Sequence, residues 1–93
     1  MIGFIGAGSI GGAVISGLIK NGFDEDKIVV KGGRSNRTKL LCDQLGFQMV
    51  KKVKQLADAD VIFIAVGATA LDNVLSELKE IVAGKLVVAF TGS

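Results

Sequence analysis

The chain contains no histidine, tryptophan or tyrosine, and only one cysteine, Cys42. The lack of histidine excludes catalytic triads and acid–base chemistry built on imidazole. A lone cysteine excludes an internal disulfide and fits a reducing compartment. Cys42 sits beside Leu41 in a helical pattern, so it reads as a small core hydrophobe rather than a nucleophile. No stretch reaches the ~20 apolar residues of a membrane span, and the start Met1-Ile2-Gly3 lacks the basic and apolar regions of a secretory leader. A cytoplasmic location is therefore expected. Five phenylalanines are the only aromatics. The core must then be mainly Ile, Leu, Val and Ala, which suits parallel strands buried between helices.

Charge of one sign is also scarce. Eleven basic and nine acidic residues leave a formal charge of +2. The basic residues cluster at Lys31, Arg34, Arg37 and Lys39 and at Lys51, Lys52 and Lys54, with no interleaved aromatics. This is a poor surface for nucleic acid, and no nucleic-acid partner is expected. The acidic run Asp24-Glu25-Asp26 has no histidine or second cysteine near it, so it reads as a solvated turn and no metal site is expected. Asp58 and Asp60 flank an apolar run and suit turn or capping roles.

The chain does have a glycine-rich turn. Gly6-Ala7-Gly8-Ser9-Ile10-Gly11 follows the apolar run Ile2-Gly3-Phe4-Ile5 and precedes a helical pattern. A G-x-G-x-x-G turn between strand and helix is the physical signature of dinucleotide binding. Gly6 allows the tight turn, Gly8 lets backbone approach a pyrophosphate, and Gly11 lets the helix pack closely on the sheet. The helix N-terminus offers free N–H groups and partial positive charge to the anion. Ser9 serves either as a cap or as a donor to phosphate.

Periodicity predicts strands at 2–5, 27–31, 47–50, 61–66 and 86–90. It predicts helices at 9–21, from Ser35 or Asn36 to Leu45, and at 71–82, with a short helical turn at 53–58. Leu40, Leu41 and Leu45 are expected to face inward on the second helix. Leu71, Val74, Leu75, Leu78, Ile81 and Val82 form the expected stripe of the third. The alternation implies an α/β, Rossmann-type parallel sheet of about five strands with helices on both faces. The site is then expected at the carboxyl ends of the strands, where loops 6–11, 32–37 and 66–70 meet and Thr91 follows the fifth strand.

NAD-binding domains of this kind usually place an acid at the end of the second strand, on the ribose 2′-hydroxyl. Here that loop reads Lys31-Gly32-Gly33-Arg34-Ser35-Asn36-Arg37, with no acid. Arg34 is the better partner for a 2′-phosphate, Arg37 can stack on adenine or reach the phosphate, and Ser35 and Asn36 can add hydrogen bonds. NADP(H) is expected over NAD(H).

The glycine turn, the Gly17-Leu18-Ile19 helix, the segment Asp58-Ala59-Asp60-Val61-Ile62-Phe63-Ile64-Ala65-Val66 and the Leu-rich 71–82 helix leading to Gly84-Lys85-Leu86-Val87-Val88 together resemble pyrroline-5-carboxylate reductases. The resemblance implies that Gly6, Ala7, Gly8, Ser9 and Ile10 line the pyrophosphate. It implies that Ser35 and its neighbours hold the 2′-phosphate, and that Ala65, Val66 and Gly67 lie along the ribose and nicotinamide. It further implies an imino-acid substrate, and a helical C-terminal domain that supplies dimerisation and much of the substrate pocket. Residues 1–93 would be the dinucleotide-binding, N-terminal part of a two-domain protein, inactive if alone. The family's Ala-Val-Lys-Pro reads Ala65-Val66-Gly67-Ala68 here, and the chain has no proline at all. The residues carry no catalytic assignment. A non-catalytic NAD(P)-sensing module, a reductase-like paralogue and an F420-dependent NADP oxidoreductase are the alternatives.

Overall fold

Short apolar runs alternate with three helical patterns, and crossover connections of that length favour a parallel partner for each strand. The computed structural model describes residues 1–6, 8–32, 36–66 and 68–90. Its order is β1 (Ile2–Ile5), α1 (Gly8–Lys20), β2 (Ile28–Lys31), α2 (Arg37–Leu45), β3 (Gln48–Val50), β4 (Val61–Ile64), α3 (Ala68–Leu78) and β5 (Leu86–Ala89). Single 3₁₀ turns at Glu25–Lys27 and Val53–Leu56 precede β2 and β4. All strand pairs are parallel, in the order β3-β2-β1-β4-β5.

Alternation along the strands sorts the core into two layers. Phe4, Ile28 and Val30 point to one face and pack with Ile15 of α1 and Phe47, while Leu41, Cys42 and Leu45 of α2 close the layer. Ile5, Val29, Ile62 and Ile64 point to the other face, onto Val53, Leu56 and Ala59 and onto Val74 and Leu78 of α3. The central strands therefore need apolar residues at consecutive positions, as Ile28-Val29-Val30 shows.

Local stops are readable in the chain. The Asn21 side chain donates to the Gly17 carbonyl at 2.7 Å, and Phe23 N–H reaches the Leu18 carbonyl at 2.9 Å to close α1. Gly46 ends α2 in the left-handed conformation (φ 84°), and its N–H is bonded to the Cys42 carbonyl. Asp24 caps the turn before β2, its carboxylate accepting the Asp26 N–H at 2.9 Å. The acidic run is exposed, as a solvated turn should be.

Several expectations need correction. Leu40 does not face inward and is 61% exposed. At ~100° per residue the buried face of α2 runs through Thr38, Leu41, Cys42 and Leu45, which puts Leu40 nearly opposite. On α3 the packed stripe is Leu71, Val74 and Leu78, continued by Ile81, while Leu75 is 43% exposed. Leu75 lies about 80° from the centre of that stripe. The helix ends at Leu78 rather than at residue 82, because Ile81 N–H turns back to the Leu78 carbonyl. β4 and β5 stop at Ile64 and Ala89, β2 starts after Lys27, and β3 starts after Phe47.

At the amino-terminal edge of the sheet, Lys85 spans two loops. Its ammonium donates to the carbonyls of Ala57 and Ala59, the latter at 2.6 Å, just before β4. Lys85→Met keeps the aliphatic stem and removes both bonds. A loss of about 1–2 kcal/mol is expected, read as a lower midpoint in urea denaturation.

Candidate dinucleotide site

At the carboxyl edge the ladder continues for one residue into each loop. Gly6 N–H donates to the Lys31 carbonyl and Ala65 N–H to the Ile5 carbonyl, each at 2.9 Å. Gly32 N–H donates to the Val50 carbonyl at 3.2 Å, and Phe90 N–H to the Ile64 carbonyl at 2.7 Å. The loops after β1, β2, β4 and β5 thus leave from one rigid edge.

Gly6 has φ 75°, and an added Cβ would stand 2.8 Å from the Ala65 carbonyl oxygen and 3.0 Å from Val66 Cγ1. Gly11 is buried, and an added Cβ would meet Ala65 Cβ at 3.0 Å. Two of the three motif glycines therefore do the work expected of them. Gly6 makes the turn, and Gly11 lets α1 lie against the end of β4. The structure brings Gly6, Gly11, Ala65 and Val66 together. It gives Ala65 a packing role that the sequence reading missed, since its methyl is the surface that excludes a side chain at Gly11. The signal was present in the small residue that ends the β4 run.

Gly8, Ser9 and Ile10 form the first turn of α1, directly behind the Gly6 turn. Such a helix start is suited to an anion. Arg37 is the first residue of α2. Asn36 occupies the N-cap position of α2 but makes no side-chain capping bond, contrary to the simplest expectation for it. Ala7, Arg34, Ser35, Gly67 and Thr91 lie outside the described residues.

A row of stacked rings leads to this edge. Phe4 and Phe63 stack at 5.0 Å, and Phe63 and Phe90 at 5.6 Å with the rings 6° apart. Cys42 is partly buried, and its thiol donates to the Phe47 carbonyl at 3.0 Å. Burial, with a smaller contribution from the Asp43 carboxylate, pushes this thiol's pKa up. The thiolate is disfavoured, in keeping with a packing role. Among the described residues no group of three His, Cys, Asp or Glu side chains is placed to hold a metal ion, and no helix is long and apolar enough to cross a membrane.

The β3-β2-β1-β4-β5 order, the two helical layers and the glycine turn at the carboxyl edge define an α/β domain of the Rossmann type, the class that takes dinucleotides at that edge. The chain belongs to the family described as NADP oxidoreductase, coenzyme F420-dependent, whose model matches residues 1–92. It is similar to the pyrroline-5-carboxylate reductase of Escherichia coli K12, 37% identical over 79 residues, which is 83% of this chain and 29% of that protein. The chain thus spans under a third of the length of this relative. The structure is similar to a pyrroline-5-carboxylate reductase from Coxiella burnetii, with a TM-score of 0.89 and 29% identity over 97% of this chain and 34% of that one. An imine reductase variant from Myxococcus stipitatus in complex with NAD+ has a TM-score of 0.77 and 26% identity, covering 100% of this chain and 30% of that one. The pyrroline carboxylate reductase of Plasmodium falciparum with NADP bound shares the fold, with a TM-score of 0.77 and 24% identity over 98% of this chain and 33% of that one.

Proposed function

We propose that this chain is the cofactor-binding part of an NADP(H)-dependent reductase of a cyclic imine, with pyrroline-5-carboxylate as the leading substrate. The observation that carries the reading is the Gly6–Gly11–Ala65 cradle, a space that a single Cβ would fill, at the start of a helix. The 37% identity to a pyrroline-5-carboxylate reductase supports the substrate class. The preference for NADP(H) rests on the acid-free Arg34–Arg37 loop and the description of the family.

In this reading the backbone from Gly6 to Gly11 binds the pyrophosphate. Arg34, Ser35, Asn36 and Arg37 hold the 2′-phosphate, and Ala65, Val66, Gly67 and Thr91 border the nicotinamide side. When bound, the cofactor supplies hydride from the nicotinamide C4 to the electrophilic imine carbon. The chain's part is positioning and exclusion of water, for which its aliphatic edge is suited and histidine is not required. The imino-acid pocket and subunit contacts belong to the remaining length typical of the relatives.

Calorimetric titration with NADPH and NADH tests the cofactor. Arg34→Ala is expected to weaken NADPH binding at least tenfold, about 1.4 kcal/mol, with under a twofold effect on NADH. Equal losses for both would remove Arg34 from the 2′-phosphate site. Oxidation of NADPH with pyrroline-5-carboxylate by the complete gene product tests the reaction, and no oxidation at saturating substrate would end that assignment. The family description also favours a second reading, an oxidoreductase that exchanges hydride between NADP and the deazaflavin F420. The same NADPH-oxidation assay with oxidised F420 as the hydride acceptor in place of the imine separates the two.

A further inference from the structure

Met49 lies on the edge strand β3, in register with Val30 of β2. Val50 beside it points to the opposite face of the sheet, into the layer of Val29 and Ile62. Met49 is 42% exposed and lines an open recess of about 540 Å³, so a small solute reaches its sulfur. The same side chain is seated at the end of β2. A Cβ added to Gly32 would stand 3.3 Å from Met49 Sδ, 3.8 Å from Met49 Cγ and 3.9 Å from Thr38 Cγ2. Gly32 N–H is bonded to the Val50 carbonyl at 3.2 Å, which holds this glycine to β3 as well.

Gly32 and Thr38 are the two anchors of the segment that carries Arg34, Ser35, Asn36 and Arg37. Gly32 directly follows β2, and Thr38 is the second residue of α2. Thr38 is 4% exposed, so its end of the segment is fixed against the core. The Met49 thioether covers the place where these anchors meet. An apolar, polarizable sulfur suits a seat with a backbone CH₂ on one side and a methyl on the other. A sulfoxide does not suit it. The S–O bond is strongly polar, and neither the Gly32 Cα nor Thr38 Cγ2 offers it a hydrogen bond, so the group is drawn out to water.

We infer that Met49 is an oxidation site through which hydrogen peroxide lowers the affinity of this chain for NADP(H). The peroxide O–O bond breaks, one oxygen is transferred to Sδ, the sulfur gives up two electrons, and water leaves. A sulfoxide reductase reverses the step: a dithiol supplies the two electrons and the oxygen departs as water. The inference rests on the NADP(H) reading above, which makes the segment between Gly32 and Thr38 a cofactor contact. Met49 is a positioning residue that acts through the two anchors and needs no contact with the cofactor itself. The other sulfurs are placed differently. Met1 is 40% exposed but lies at the amino-terminal edge of the sheet, where its carbonyl accepts the Asp60 N–H. Cys42 is partly buried and its thiol donates to the Phe47 carbonyl.

The test treats the chain with dilute hydrogen peroxide, then with a thiol reductant to reverse oxidation at Cys42, and titrates it calorimetrically with NADPH and with NADH. Peptide mass spectrometry reads the sulfoxide content of Met49 and Met1. The expected result is a sulfoxide at Met49, a loss of about fivefold or more in NADPH affinity and under twofold for NADH, and recovery after incubation with sulfoxide reductases for both epimers. Met49→Leu keeps the apolar volume without the sulfur, and its NADPH affinity should resist peroxide although Met1 is still oxidised. An unaltered melting temperature verifies its fold. If Met49 is fully oxidised and NADPH affinity stays within twofold, this inference fails, while a preference for NADPH in the untreated chain leaves the NADP(H) reading standing. A peroxide-treated Met49→Leu chain that loses affinity as the original does also overturns it, because another residue would then be responsible. If the untreated chain shows no preference for NADPH, both this inference and the NADP(H) reading fall.

Discussion

Gly6→Ala is expected to lower stability by about 2–5 kcal/mol and to abolish measurable dinucleotide binding. Two costs combine. The left-handed φ of 75° costs an L-residue about 1–2 kcal/mol that glycine avoids. The new methyl would then sit 2.8 Å from the Ala65 carbonyl oxygen and 3.0 Å from Val66 Cγ1. Overpacking of this kind costs roughly 1–3 kcal/mol. Neither Gly6 nor Ala65 can retreat freely, because Gly6 N–H is held by the Lys31 carbonyl and Ala65 N–H by that of Ile5. Any shift that relieves the clash reshapes the turn on which the pyrophosphate would rest. A domain of this size has a total stability of about 5–14 kcal/mol, so the loss is large. Urea denaturation and NADPH titration check both halves. Gly17→Ala is the control: nothing lies within 4 Å of the added methyl, and the site is inside α1. It should raise stability by about 0.5–1 kcal/mol. A Gly6→Ala midpoint equal to that of the original chain would refute the cradle as described.

Phe4→Ala is expected to cost about 3–5 kcal/mol, with the effect confined to folding. Phe4 is fully buried at the centre of β1, stacked on Phe63 at 5.0 Å and enclosed by Ile15, Ile28, Val30 and Phe47. The cavity left behind is bounded by two paired strands and by α1, so it cannot collapse without breaking sheet pairing. Phe4 is one residue from Ile5 and two from the Gly6 turn, yet it points into the core and away from the edge. Variant that remains folded should therefore keep the dinucleotide affinity of the original chain. The measurements are the urea midpoint, which should fall with an unchanged slope, and NADPH affinity corrected for the unfolded fraction. A change in affinity of the folded fraction greater than about twofold, or 0.4 kcal/mol, would show that the ring shapes the site directly.

Much of the fold is legible in the chain because its signals are local. β1, α1 and the start of α2 are marked by glycine, asparagine and aliphatic periodicity within a few residues. Asn21-Gly22 ends α1 and Gly46 ends α2 through bonds that span one turn. The inward faces were less legible. Leu40 and Leu75 are as apolar as their buried neighbours, but which leucines are covered depends on how the sheet meets each helix. Sequence composition does not encode that angle. The glycine turn was legible as a turn. The identity of its opposing wall was not, because Ala65 is 54 positions from Gly11 in the chain.

By itself the sequence determined the class of this chain: an alternating α/β chain with a glycine turn after its first strand, an acid-free loop after its second, and no histidine. These follow from backbone freedom, periodicity and residue inventory, which act over a few neighbouring positions. Only the tertiary structure decided what surrounds the turn. Parallel pairing of β4 beside β1 carries the Ala65 carbonyl and methyl against Gly6 and Gly11. Pairing of β3 beside β2 carries Val50 beside Lys31, at the edge where the second strand ends. Parallel strands are joined only through long crossovers, so residues that share the site come from distant parts of the chain and meet only when the sheet has formed.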